Sequence, residues 1–254
     1  MDKQQIIFAD LGLMDYQAAW DHQEKLLQEN VRKKSLVLSR SKDSHGPGAS
    51  AQTLTTDDSQ LTTQHHLLFV EHPPVYTLGK SGNKENVLLN DTELKEKEIQ
   101  FFHTNRGGDI TFHGAGQIVG YPILDLEKFD TDIGKYLRRL EDVIILTLAD
   151  YGIKAERSAG ETGVWIEPGV PGKERKICAI GVRCSRWVTM HGFAFNVNTD
   201  LSYFDHIIPC GISNKQVTSL EKETGMKKDL GEVKERVKQN FERVFNVEIK
   251  DKSE

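Results

Sequence analysis

Three cysteines, an odd number in 254 residues, cannot close the dense disulfide framework of a small secreted domain, and so few thiols suit a reducing compartment. No apolar run approaches the ~18 residues that span a bilayer, and the opening stretch Met1 to Gln5 is polar and mixed in charge, unlike a secretory signal. A cytoplasmic chain with no membrane attachment is expected. A basic block is also missing: 33 Lys and Arg against 38 Asp and Glu give a net charge of -5. Phosphate binding depends on clustered cations, so nucleic acid is excluded as the main partner. With 21 Gly and 7 Pro, 37% hydrophobic and 28% charged residues, usage is ordinary, which excludes collagenous and wholly disordered chains.

The length fits one large domain or two small ones, at a prior of about 150 residues each. Asp15 stands at an N-cap position, and Tyr16, Ala19, Trp20, Gln23, Leu27 and Val31 follow a helical stripe. From Ser39 to Gln64 the chain turns to Ser, Thr, Asp, Gly and Pro without an aromatic residue, too little apolar surface to offset ordering entropy, so a mobile surface insertion is expected there. Strands are predicted at His66–Val70, Val75–Leu78, Ile99–His103, Ile110–His113 and Ile118–Leu126, with Pro and Gly turns between them. Thr131 or Asp132 caps a helix whose Ile133, Leu137, Leu140, Ile144 and Leu148 share a face, and Gly152 marks its end. Further strands are predicted at Gly163–Ile166, Lys176–Cys184 and Val188–Val197, and a last helix over Gly231–Phe245. Strands and helices in blocks, without a repeat, predict one α+β domain over residues 1–254, a mixed sheet with helices packed on it.

Two cofactor motifs fail on spacing. Leu78-Gly-Lys-Ser81 resembles the end of a phosphate-binding loop, but the first glycine of that loop would fall on Pro74. Gly114 to Gly120 misplaces the third glycine of the dinucleotide fingerprint and lies in predicted sheet. A zinc set of His191, His206 and Cys210 has the right residue types at the wrong spacing for a local finger. Cys210, between Pro209 and Gly211, could expose a thiol on a rigid turn, though general burial preference favours a buried structural cysteine. Cys178 and Cys184 share parity with Ile180 and Val182 along one strand, which reads as core packing. A thiol of pKa about 8.5 needs a cation or base beside it to react near neutrality. Lys176, starting an apolar strand, and His113 and His191, each before a glycine in a predicted turn, are the candidates, with solvated or structural roles as the alternatives.

Taken together, several ordered segments resemble the octanoyltransferases, or lipoyl(octanoyl) transferases. They are His72-Pro-Pro-Val-Tyr-Thr-Leu-Gly79, Arg106-Gly-Gly-Asp-Ile-Thr-Phe-His-Gly-Ala-Gly-Gln117, Lys176-Ile-Cys-Ala-Ile-Gly-Val182, Thr189-Met-His-Gly-Phe-Ala-Phe-Asn-Val197, Asp200-Leu-Ser-Tyr-Phe-Asp-His-Ile-Ile-Pro-Cys-Gly211 and Thr218-Ser219. The resemblance implies the fold of the biotin and lipoate protein ligase catalytic domains. It implies Cys210 as the acyl-thioester nucleophile and Lys176 as the residue that lowers its pKa and handles protons. It further implies that Arg106, Gly107, Gly108, Asp109, Ile110, Thr111, Phe112 and His113, with Ala179, Ile180, Gly181, Gly192, Phe193 and Ala194, line the acyl substrate. The implied donor is octanoyl acyl carrier protein. The implied acceptors are lipoyl domains of 2-oxoacid dehydrogenase complexes and the glycine cleavage H protein. Neither metal nor nucleotide is needed, because the donor thioester carries the activation. Backbone N–H groups near Gly192 or Gly211 are candidate oxyanion donors, and Lys80, Lys84, Arg183 and Arg186 a candidate basic rim for an acidic carrier. Two departures stand out: Ala115 replaces the family's usual proline, and the 39–64 and 167–175 stretches look like insertions. Regular strand parity also puts Lys176 on the side of Cys178, so a bulge or strand end is required for it to reach Cys210. The rival readings are an ATP-dependent lipoate or biotin ligase, which needs no cysteine, and a non-catalytic acyl-binding protein.

Overall fold

The computed structural model describes residues 3–43, 62–208 and 216–252. Its elements run β1 (Gln4–Leu13), α1 (Tyr16–Asp43), β2 (His65–Glu71), β3 (Val75–Leu78), α2 (Asp91–Glu96), β4 (Gln100–His103), β5 (Ile110–His113), β6 (Gln117–Ile123), α3 (Ile133–Ala149), β7 (Val164–Ile166), β8 (Arg175–Ser185), β9 (Val188–Asn196), β10 (Gln216–Val217), α4 (Leu220–Thr224), α5 (Leu230–Phe245) and β11 (Val247–Asp251). A mixed central sheet has the order β10-β8-β9-β6-β2-β1-β11, with β7 also paired to β8; β4-β3-β5 form a separate small sheet.

Both faces of the central sheet are covered, which is why its strands read as apolar runs more than as clean alternation. Leu67, Phe69, Ile118, Phe193 and Phe195 point into a core shared with α3 and α5. Leu68, Val70, Val119, Tyr121 and Ala194, one residue out of phase, point into a second core under α1, with Ala19 and Leu27. A third cluster packs the small sheet through Tyr76, Ile110 and Phe112 against Ile207.

The expected helix starts are present. Asp15 Oδ1 accepts from the N–H groups of Gln17 and Ala18, and Asp132 accepts from that of Lys135. Three expectations need correction, and two strands were not expected. The 39–64 stretch does not begin as a loop: α1 continues to Asp43, and Gln64 is tied back to it, because Asn30 donates to its carbonyl at 2.7 Å and accepts from its N–H at 2.9 Å. Residues 44–61 of that stretch lie outside the described residues. The predicted strand to Leu126 stops at Ile123, since Asp125 accepts from the Glu127 N–H and opens a short 3-10 turn. His191 is not in a turn but inside β9, with φ 57°. Finally, β1 and β11 had no sequence expectation. Of β1 only Ile6 is fully buried, so its pattern is blurred, and its parallel partners β2 and β11 are remote in sequence.

Candidate active site

A cavity of about 390 Å³ lies between the central and small sheets. Glycines allow close backbone approaches here, within the central sheet at Gly192 and between β8 and the small-sheet loop at Gly181. Gly181 pairs with Gly192, and a Cβ on Gly192 would sit 2.2 Å from the Gly120 carbonyl oxygen, while one on Gly181 would sit 2.7 Å from that of Gly107. Val119, Ile180, Phe193, Ala194 and Phe204 give the cavity an apolar lining, and Tyr16, Arg106, His113, Gln117, Tyr121, Lys176 and His191 its polar groups.

The polar groups on the small-sheet side form a directed chain. The buried Arg106 guanidinium donates to the Thr77 carbonyl and, at 2.9 Å, to its hydroxyl. That hydroxyl meets His113 Nε2 at 3.2 Å, and His113 Nδ1 meets Gln117 Oε1 at 2.8 Å. An amide oxygen only accepts, so Nδ1 carries the proton and Nε2 receives the Thr77 hydroxyl. Gln117 Nε2 donates onward to Asn196 Oδ1, and Asn196 Nδ2 to the Thr218 carbonyl. Burial holds His113 neutral, its pKa well below the ordinary value. His191 is likewise pushed down to about 3 by burial and by Arg106 and Arg183, and its Nε2 is engaged by Asn105 at 2.8 Å. His72, behind the cavity, is lowered to about 4 by burial; its Nδ1 donates to the Met14 carbonyl and its Nε2 receives the Tyr121 hydroxyl. His113 thus has both ring nitrogens bonded, whereas in His191 the Asn105 amide oxygen holds the proton on Nε2.

Lys176 faces the same cavity because β8 carries an irregularity that breaks regular parity. Val164 pairs with Cys178 but the next residue, Trp165, pairs with Lys176, leaving Ile177 as the extra residue of a bulge. Ile177 and Cys178 therefore both enter the core, and Lys176 turns to the side of Ala179 and Gly181. Its Nζ lies 4.5 Å from the centre of the Trp165 ring, and its carbonyl accepts from the Thr218 N–H at 3.0 Å. Cys178 is a core thiol whose pKa burial pushes far up, and Cys184 is half-buried and also raised by burial.

Twelve of the fourteen residues expected along the acyl chain line this cavity: Arg106, Gly108, Asp109, Ile110, Thr111, His113, Ala179, Ile180, Gly181, Gly192, Phe193 and Ala194. Gly107 instead ties the small sheet to β8 through its N–H to the Val182 carbonyl at 2.9 Å. Phe112 points opposite to Thr111 and His113 and stacks on Tyr203 at 4.5 Å. Cys210, with Pro209 and Gly211, lies outside the described residues. The chain on either side of it is held: the Ile208 N–H donates to the Asn86 carbonyl at 2.8 Å, and Val217 pairs with Lys176.

The profile of the lipoyl protein ligase A/B catalytic domain matches residues 47–242. An octanoyltransferase of Christiangramia forsetii is 54% identical over 95% of this chain and 96% of its own length. One of Flavobacterium johnsoniae is 55% identical over 94% and 96%. The chain belongs to the octanoyltransferases of this family. Its fold is that of lipoate-protein ligases: a chain from a structural study of a bipartite lipoate protein ligase and its E2 lipoyl domain from Thermoplasma acidophilum superposes with a TM-score of 0.64 at 16% identity, covering 99% of this chain and 87% of that one. Lipoate-protein ligase A bound with ATP gives 0.63 at 13%, covering 99% and 89%.

Within this enzyme, several cavity residues carried no sequence signal of their own. Tyr16 reads as one more apolar position of α1, yet it is buried against His113, with ring planes 11° apart, and burial pushes its hydroxyl up to about 12. Gln117 and Asn196 read as ordinary strand ends until the fold joins them. Of the expected basic rim, Arg183 is spent on Glu24 at 2.6 Å and Arg186 donates to Ser35, whereas Lys80 and Lys84 are exposed. Among the described residues no helix is long and apolar enough to cross a membrane.

Proposed function

We propose that this octanoyltransferase takes its acyl group from the pantetheine thioester of an acyl carrier protein and gives it to a lysine of lipoyl domains, those of 2-oxoacid dehydrogenases and of the H protein, in the cytoplasm. The Cys210 thiolate attacks the thioester carbonyl and expels the pantetheine thiolate, which takes a proton from the Lys176 ammonium and leaves that amine neutral. The acceptor amine then attacks the enzyme thioester, the amide forms, the Cys210 thiolate leaves, and Lys176 receives the proton lost by nitrogen. Splitting the transfer in this way replaces one difficult step by two easier ones. The ammonium of Lys176 also stabilises the thiolate before each turnover. The observation that carries this reading is the β8 bulge, which turns Lys176 into the cavity beside β10, the strand that follows Cys210 by six residues. His113 is bonded through both ring nitrogens, burial lowers the pKa of His191 to about 3, and Cys178 is enclosed in the core, all of which supports Cys210 and Lys176 as the reacting pair.

The fold is shared with a ligase solved with ATP, so the deciding experiment is paired. One tube holds octanoyl carrier protein and a lipoyl domain without nucleotide or magnesium; the other holds free octanoate, ATP and the lipoyl domain. Amide formation in the first only, with an intact-mass adduct on Cys210 when the acceptor is left out, is the expected result. Amide in the ATP tube alone, surviving Cys210→Ala, overturns it, as does an adduct mapped to Cys178 or Cys184. Lys176→Ala is expected to slow transfer and raise the pH at which Cys210 is alkylated, and Lys176→Arg to restore the charge effect but not proton acceptance.

A further inference from the structure

β10 is only two residues long, too short for its ladder bonds alone to fix the edge of the sheet beside Lys176. A polar clamp reinforces it. Arg175 places Nε on Glu223 Oε1 at 2.6 Å and Nη2 on Oε2 at 2.7 Å, a two-point contact of the strong charge-assisted kind. Glu223 Oε1 also accepts the Thr218 hydroxyl at 2.6 Å. Thr218 is fully buried and every polar atom it has is used: its N–H goes to the Lys176 carbonyl at 3.0 Å and its own carbonyl accepts from Asn196. The next residue, Ser219, caps α4 by accepting from the Lys222 N–H, so the helix that presents Glu223 starts from the same fixed point. The Arg175 and Glu223 side chains are 20% and 12% exposed, which separates the pair from freely solvated surface bridges of little worth.

We propose that Glu223 is a positioning residue: through Arg175 and Thr218 it locks β10 onto β8 and so keeps the Lys176 side chain aimed into the acyl cavity. This rests on Lys176 being the proton-handling residue. A carboxylate is required because it must accept from a guanidinium and a hydroxyl together. In Glu223→Gln one acceptor oxygen becomes an N–H directed at a donor.

Glu223→Gln and Thr218→Val are compared with Lys176→Ala for kcat, donor KM, melting temperature and the pH dependence of Cys210 alkylation. Glu223→Gln is expected to lower kcat roughly ten- to a hundredfold, the cost of an ångström-scale misplacement, with KM little changed. The alkylation midpoint is expected to move upward, in the same direction as for Lys176→Ala, and Thr218→Val to do the same more weakly. The sign is the discriminating readout. Removing a negative charge alone would ease thiolate formation and move the midpoint down, whereas losing the aim of the lysine moves it up. A downward or absent shift in Glu223→Gln, while Lys176→Ala shifts upward, overturns the proposal and leaves the lysine's role intact. No shift in Lys176→Ala overturns both. If Glu223→Gln does not fold, Thr218→Val decides, and a lowered melting temperature with an unchanged alkylation profile counts against positioning.

Discussion

Glu141, on α3, is fully buried, and it organises the loop that brings Gly160, Glu161 and Thr162 to the cavity. Its oxygens accept from Arg138 Nη1 at 2.7 Å, Arg157 Nε at 2.8 Å and the buried Gly163 N–H at 3.0 Å. Replacing it with glutamine leaves one acceptor oxygen for three donors and turns an amide N–H toward them. A hydrogen bond to a charged group is worth about 1.5–3 kcal/mol, and a buried N–H without an acceptor costs about 1–3 kcal/mol. The arginine side chains are 41% and 37% exposed, so water recovers part of their loss, and the Gly163 N–H carries most of the penalty. A net cost of about 3 kcal/mol is expected for Glu141→Gln, which in a domain of this size lowers the melting temperature by about 6–12 °C. Thermal and guanidinium unfolding of the variant measure it directly. Asp142→Asn, which removes only the solvated Asp142–Arg157 pair, is the control and is expected to cost under about 1 kcal/mol. If Glu141→Gln melts within about 2 °C of the parent, or costs no more than the control, the carboxylate is not holding the loop and the reasoning fails.

The buried histidines make stability fall with acid. His72 titrates at about 4 in the folded chain and near 6.5 when unfolded. Its contribution is complete above the unfolded value and is lost as pH falls toward 4, at up to about 1.4 kcal/mol per pH unit. His72→Gln is expected to flatten melting temperature against pH over that window, and an unchanged slope refutes this. Ala115 is exposed at the second position of a turn closed by the Gln117 N–H on the Gly114 carbonyl, with Gly116 at φ 77°. Proline fits that position, so Ala115→Pro is expected to stabilise by about 0.4–1 kcal/mol and to raise the melting temperature without loss of turnover. A lowered melting temperature would show that the turn does not have this form. Gly192→Ala drives a Cβ against the Gly120 backbone, and a destabilisation of about 1–3 kcal/mol with reduced acyl transfer is expected; unfolding curves and turnover equal to the parent's would rule out the close approach of β9 to β6 at this point.

Much of this protein was legible one residue at a time. The caps at Asp15 and Asp132, the stripes of α1, α3 and α5, and the glycine-punctuated strands all express local rules: a side-chain oxygen on an orphan N–H, a 3.6-residue apolar period, a proline or glycine where a ladder must stop. The ordered segments around Arg106, Lys176, Thr189 and Cys210 carried the resemblance to the octanoyltransferases. Other features were decided only when remote segments met. β1 has one fully buried residue and exists because β2 and β11 hydrogen-bond on either side of it. Gln117, Asn196 and Thr218 form one hydrogen-bonded line though they are far apart in the chain, and no periodicity announces such a line. The direction of Lys176 turned on a single extra residue, Ile177, in the register between β7 and β8. A bulge follows from how two strands pair and what each must bury, and that is a property of the packed sheet, not of either strand's sequence.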